Sequence, residues 1–262
     1  MQKWDAPVPV CLEGMPCLPP MRPPDTAIEI QSPIEGFIFY NDTPQVIRWI
    51  AVPGVTSYSV SIREANKNIW ETIVHSIEIL HPTDLRLKPG NSYELTVQVV
   101  GDERKTNLTF RMLSEEETQD ILSQANNILI NPDLSEVEKA LKVASFYSEN
   151  LLFKEAMEVL FNAVETHQNS APVYRKLGDL LLNTRQPTLA RTHYQQSFNL
   201  ATNSEEKAYA TYGLGMVSVY ERNLEEATQW LSLAQSHYEQ TGAQDLVEKI
   251  AELLVGIGAG EE

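Results

Sequence analysis

Alanines at 156, 190 and 227 recur at a spacing of 34 to 37 residues, and Gly178 and Gly215 each precede the next of these alanines by twelve. A period near 34 residues, running from about Val137 to Gln240, constrains the fold more than any other feature. Repeats of this length are helical hairpins that cannot bury their apolar faces alone and therefore stack on one another. Stacked hairpins leave a groove, and such grooves hold polypeptides. The period thus implies a way of acting, protein binding, without naming a partner.

Acidic residues are concentrated in the same half. Residues 114–262 hold 23 acids against 10 bases, whereas residues 28–113 hold 10 against 8 and residues 1–27 hold 3 against 2. A field of that sign repels phosphate backbones and anionic headgroups, so nucleic acid and membrane surfaces are poor partners and a basic or apolar protein segment is a better one. The same acids also serve simply to solvate a helical surface. No apolar run approaches the roughly 20 residues of a membrane helix, so no membrane insertion is expected.

The first 27 residues carry seven of the fifteen prolines. Proline fixes φ and removes an amide donor, so this segment is expected as an extended arm, with Trp4, Val8, Val10, Leu12 and Met15 available to pack on a domain or on a neighbouring copy. Cys11 and Cys17 lie in it. Two readings stay open for them: a small disulfide loop, which implies an oxidising compartment, or two unpaired cytosolic thiols.

From Ile28 to Leu113 the pattern is one of short alternating runs, IEIQ, QVIRWI, SYSVSI, NIWETI, YELTVQVV and NLTFRML, separated by turn residues. Tyr58, Val60 and Ile62 share one face and the serines between them the other, as in a strand with one buried side. Ser114-Glu-Glu-Glu117 is a capping box, in which the serine oxygen accepts an amide proton and the third residue reaches back, so a helix is expected from there to about Ile130. Five segments follow: a proline-rich arm (1–27), a β-sandwich (28–113), a linker helix (114–134), three helical repeats (135–241), and a C-terminal capping helix with its tail (242–262).

Two resemblances support this division. Trp49-Ile-Ala-Val-Pro-Gly-Val-Thr-Ser-Tyr58 with Leu87-Lys-Pro-Gly90-Asn-Ser-Tyr93 resembles a fibronectin type III or immunoglobulin-like module. That resemblance implies that Trp49 is a core residue and that the Tyr93 hydroxyl bonds to the backbone at a corner. Aligning Val137, Ala171 and Ala208 as first positions places Ala144, Gly178 and Gly215 at position eight, Ala156, Ala190 and Ala227 at twenty, and Leu160, Tyr194 and Leu231 at twenty-four. This resembles the tetratricopeptide repeat (TPR). Small residues at eight and twenty let the two helices of a hairpin approach closely. The spacing of 37 residues before the third unit predicts a loop about three residues longer near Ala201 to Glu205.

The TPR resemblance implies a concave surface lined by the first helix of each unit. Carried onto this sequence, the groove comprises Arg175, Asp179, Leu182 and Asn183 in the second unit and Tyr209, Tyr212, Met216, Val219 and Tyr220 in the third. The third set is expected to form an aromatic, solvated patch that anchors a partner segment, unless the C-terminal helix covers it. The fold class is then two-domain, β plus α, an immunoglobulin/fibronectin-III-like sandwich followed by a TPR solenoid. It resembles exported bacterial TPR proteins and favours an extracytoplasmic location over a cytoplasmic one.

Enzyme chemistry is absent from this reading. The chain has no phosphate-binding glycine loop, no His-Glu-x-x-His and no Gly-x-Ser-x-Gly, and its five histidines are scattered, so no cofactor, metal or catalytic residue is expected. The expected function is a non-catalytic interaction scaffold. Two alternatives accompany it: a structural subunit that self-associates through residues 1–27, and a carbohydrate-binding sandwich that uses Trp4 or Trp70.

Overall fold

A computed structural model describes residues 28–33, 36–40, 46–82, 85–166 and 169–258. The arm, with Trp4, Cys11, Cys17 and its proposed self-association, lies outside the described residues, as does the tail after Gly258. Among the described residues, eight strands precede eight helices.

The strands are β1 (Ile30–Ser32), β2 (Gly36–Ile38), β3 (Val46–Trp49), β4 (Tyr58–Glu64), β5 (Lys67–Val74), β6 (Glu78–Leu80), β7 (Ser92–Val99) and β8 (Lys105–Met112). They form a three-stranded sheet, β1-β3-β6, and a five-stranded sheet, β2-β8-β7-β4-β5. All pairs are antiparallel except β2 with β8. One core joins the sheets: Ile47 and Trp49 of β3 meet Tyr58, Val60 and Ile62 of β4 and Leu95 and Val97 of β7. Alternation decides which side chains enter it, since β7 buries every second residue. The indole of Trp49 stands edge-on to the Tyr58 ring at 5.2 Å, and the Lys88 amide donates to the Tyr93 hydroxyl at 2.6 Å. Of the three strands of only three residues, β1 lies in the expected IEIQ run, and β2 and β6 fall outside the expected runs.

The helices are α1 (Glu115–Leu129), α2 (Glu136–Glu149), α3 (Phe153–Thr166), α4 (Ala171–Asn183), α5 (Pro187–Leu200), α6 (Ser204–Tyr220), α7 (Leu224–Thr241) and α8 (Gln244–Gly258). The capping box at α1 is complete: Glu117 donates its amide to Ser114 Oγ at 3.2 Å, and Ser114 returns its own amide to the Glu117 carboxylate at 2.8 Å.

Contacts divide the chain into two units. One holds both sheets, α1 and Lys142–Ala156; the other holds Glu136–Leu141 and the helices from Met157 onward. In the sheet unit, the turn between α2 and α3 completes the edge of β2. Phe37 donates its amide to the Leu151 carbonyl at 2.8 Å, the Phe39 ring meets Tyr147 edge-on at 6.1 Å, and Tyr40 donates to Thr118 Oγ1 at 3.0 Å. Gly36 sits at φ +131°, and a Cβ there would run into the Leu151 carbonyl. A glycine satisfies both the conformation and the close approach.

Three hairpin turns are built alike. Leu151, Arg185 and Arg222 adopt left-handed φ of 59°, 62° and 60°. The next residue of each, Leu152, Gln186 and Asn223, donates its amide five residues back, to Tyr147, Leu181 and Ser218, at 2.8 to 2.9 Å. These bonds satisfy carbonyls that a helix end otherwise leaves unpaired.

In the helical unit, α4, α5, α6, α7 and α8 pack in succession, and α4 also touches α6. The small residues sit where the helices close. A Cβ on Gly178 would lie 2.9 Å from the Tyr194 ring and one on Gly215 would lie 2.7 Å from Leu231 Cγ, while Ala190 and Ala227 have no exposed surface. The expected longer loop before the third unit is not what forms. Helix α6 starts at Ser204 behind an Asn203 cap, so the extra residues become an added helical turn instead. Helix α8 packs on α7.

Candidate functional site

Helix α6 holds the residues expected to form the groove, and it departs from the amphipathic rule. Every residue from 210 to 220 is buried. Tyr212 and Met216 are 1% exposed, Tyr220 5% and Val219 7%, so the expected solvated aromatic patch is corrected to a covered one. Its physical reason is composition: residues 208–220 carry no charge, and a helix that is apolar all round is stable only when covered all round. That uncharged run is the signal in the sequence that would have shown this. Of the third set, Tyr209 alone stays half-exposed. In the second set Asp179 and Leu182 are buried, Arg175 is half-buried, and Asn183 is exposed.

The sides of α6 can be assigned. Gly213 abuts the Tyr194 ring of α5, Ser218 Oγ accepts from Arg191 of α5 at 3.3 Å, and Gly215 abuts Leu231 of α7. At about 100° per residue, Tyr212, Met216 and Val219 share the side opposite to the one α5 covers. Tyr209, on its flank, stacks beneath Arg175 of α4, whose guanidinium carbon is 4.7 Å from the ring centre.

Around that flank the structure gathers residues that the sequence placed apart. Arg175 Nη1 pairs with Asp179 Oδ2 at 3.3 Å, and Tyr194 donates its hydroxyl to Asp179 Oδ1 at 2.9 Å. Burial raises the Asp179 pKa despite the nearby Arg175 and Lys176 charges and the Tyr194 hydrogen bond. Tyr212 is pushed up to about 12, first by burial and then by the Asp179 charge. The Tyr238 ring meets Tyr209 edge-on at 5.8 Å, and its buried hydroxyl has no hydrogen-bond partner among the described residues. Next to this cluster, at the start of α6, a cleft of about 230 Å³ is lined by Pro172, Arg175, Asn203, Glu205, Glu206 and Tyr209. Ala171 and Ser197 complete the lining, so an aromatic ring, one guanidinium, a hydroxyl and a rim of carboxylates meet there.

A second network, unforeseen from the sequence, ties α5 to the third hairpin. Arg191 bonds Glu221 at 2.6 Å and Glu226 at 2.7 Å, and Trp230 Nε1 donates to Glu226 at 3.2 Å. The charges lie 30 and 35 residues apart, beyond any local spacing rule.

The remaining candidates separate. Trp70 is half-buried and packs against the sheet core. His193 lies between the Tyr174 and Phe161 rings, at 6.0 and 6.1 Å, and burial lowers its pKa. Among the described residues no group of three or more His, Cys, Asp or Glu is placed to hold a metal, and no helix is long and apolar enough to cross a membrane.

No family model and no curated protein matches the chain. Among solved structures the chain is similar to one described as the crystal structure of MamA, at 20% identity and a TM-score of 0.38, over 56% of this chain and 92% of that one. At that level of similarity, function has to come from this chain's own residues.

Proposed function

We propose that this protein is a non-catalytic interaction scaffold whose helices form a TPR-type array behind a fibronectin-III-like module, and that a partner segment binds at the cleft beside Arg175 and Tyr209, at the start of α6. One observation carries this reading. Tyr209 stays half-exposed at the start of α6, beneath the Arg175 guanidinium and beside a cleft rimmed by Glu205 and Glu206. Aromatic and thioether side chains are the usual anchors of polypeptide interfaces because they bury much area at little entropic cost. The family assignment draws its support from the glycines at position eight lying against the side chains at position twenty-four, from the three like turns, and from the Tyr93 corner. The acidic surroundings favour a segment that is basic or apolar.

The test is capture from an extract of the source organism on immobilised full-length chain. Arg175→Ala, which removes the cleft's guanidinium, is expected to abolish capture while the helical circular dichroism holds. Tyr209→Ala, at a half-exposed position, weakens capture without the same risk to folding. Leu233→Glu on α7, where the residue is 37% exposed, leaves capture intact. Capture indifferent to both Arg175→Ala and Tyr209→Ala removes the groove from the account.

A further inference from the structure

Behind the Arg175 wall of the cleft lies a carboxyl group that water scarcely reaches. Asp179 of α4 is 7% exposed. The charged and titratable groups within electrostatic reach of it are Arg175 and Lys176 on α4 itself, Tyr194 on α5, Tyr212 on α6 and Tyr238 on α7. We propose that Asp179 is the positioning residue of this cleft: its carboxylate holds the Arg175 guanidinium against the Tyr209 ring, and a proton taken up there releases Arg175 and weakens binding of the partner segment in acid. The proposal rests on the cleft reading above and adds its regulation.

Geometry carries the argument. Residues four apart in a helix lie one turn above each other, so Arg175 and Asp179 share a face of α4. Asp179 Oδ2 meets Arg175 Nη1 at 3.3 Å, and Oδ1 accepts from the Tyr194 hydroxyl at 2.9 Å, so each carboxylate oxygen has its own partner and the group is fixed from two helices. Arg175 sets its guanidinium carbon 4.7 Å from the centre of the Tyr209 ring, which the Tyr238 ring meets edge-on at 5.8 Å. A continuous run of contacts thus joins the interior of α5 to the cleft: Tyr194, Asp179, Arg175, Tyr209. Among the described residues Asp179 is the carboxylate that pairs with Arg175. Once its charge is gone, the guanidinium keeps the ring alone.

Charge decides the direction. Burial is the largest influence on Asp179 and raises its pKa above the ordinary 3.8, outweighing the opposite pull of Arg175, Lys176 and the Tyr194 hydrogen bond. The phenols of Tyr194, Tyr212 and Tyr238 are raised as well, so they stay neutral where Asp179 titrates. His193 and His237, the sequence neighbours of Tyr194 and Tyr238, meet the Tyr174 and Phe161 rings and the Lys207 charge instead. Below the Asp179 midpoint, Arg175 loses the partner that orients it, and its positive charge beside the cleft is no longer offset. Both changes act against a basic segment seated between Glu205 and Glu206.

The experiment follows the full chain by NMR, with ¹³C in the aspartate carboxyls and the tyrosine rings. The Asp179 carboxyl, the resonance missing from Asp179→Asn, is expected to titrate with a midpoint above 3.8, and the Tyr209 ring, identified by Tyr209→Phe, is expected to shift with that same midpoint. Asp179→Asn removes the Tyr209 step; Arg175→Ala removes it too and raises the carboxyl midpoint; His193→Gln keeps it. If Asp179→Asn does not fold, Arg175→Ala decides, since the resonance whose midpoint it raises is the Asp179 carboxyl. Capture is then measured against pH for the extract proteins that Tyr209→Ala fails to hold. The unaltered chain is expected to bind them about tenfold more weakly below the midpoint than above it, and Asp179→Asn to bind them at that weaker level throughout. A Tyr209 step that is absent, or that persists in Asp179→Asn or Arg175→Ala, overturns the proposal. So does capture by Asp179→Asn that follows the profile of the unaltered chain; if capture still depends on Arg175 and Tyr209, the cleft reading survives that loss. Capture indifferent to both discards the cleft reading and the regulation together.

Discussion

Strand β7 and helix α6 are the central elements of their units, and they are covered in opposite ways. β7, third of five strands, alternates buried with more open residues, and the core it shares with β3 and β4 absorbs its whole apolar face. α6 is buried on every side across eleven consecutive residues, although three helices pack on it. The sheet unit closes by its own alternation. The helical unit instead buries its central helix through an uncharged run that is apolar all round.

The largest effect that separates the two is core truncation. Leu95→Ala in β7, a site with no exposed surface, is expected to cost about 2 to 5 kcal/mol in a denaturant melt. Met216→Ala in α6, though nearly as buried, is expected at the lower end of that range, about 2 kcal/mol, because a flexible thioether packs less specifically than a branched side chain. Equal costs break the comparison.

Next is overpacking where the second hairpin closes. Ala190→Leu is expected to cost about 1 to 3 kcal/mol, read as a lower midpoint at an unchanged denaturant slope. Of similar size is Asp179→Leu, about 1 to 3 kcal/mol, since it leaves the buried Tyr194 hydroxyl without its acceptor. Asp179→Asn keeps an acceptor and is expected to cost less than Asp179→Leu. The reverse order means that the hydroxyl finds another partner.

The smallest effect is titration. Burial holds the His193 pKa below its ordinary 6.5, so the unfolded chain binds that proton more readily. Its contribution is complete above pH 6.5 and declines as the pH falls below that value. His237, lowered by burial and by Lys207, acts in the same direction. Melting at pH 7 and pH 5 is expected to show a small loss in acid that His193→Gln reduces. Glu64, Asp102 and Glu117, whose pKa values are also lowered, lose their contributions further into acid.

What was legible in the sequence follows from how far each signal reaches. Alternation and the capping box are local, and β4, β7, β8 and α1 appear where these signals place them. The repeat spacing located the closing residues Gly178, Ala190, Gly215 and Ala227, because close approach admits only small side chains. Two kinds of feature escaped. The three-residue strands β2 and β6 hold too little pattern, and the turns at Leu151, Arg185 and Arg222 carry no glycine to announce their left-handed backbone. At the site, positional carry-over misjudged the environment of α6: it treated Tyr212 and Met216 as solvated, although the uncharged run around them required cover.

The Leu151 carbonyl on the Phe37 amide has a practical meaning. Cutting the chain at the change of composition near residue 114, or before α2, would strip β2 of the group that occupies its outer rim. Strand rims without a neighbour recruit strands from other molecules. The first hairpin, counted by sequence among the repeats, thus also works as a guard on the β-layer, and the two halves are not interchangeable modules to be separated at that seam.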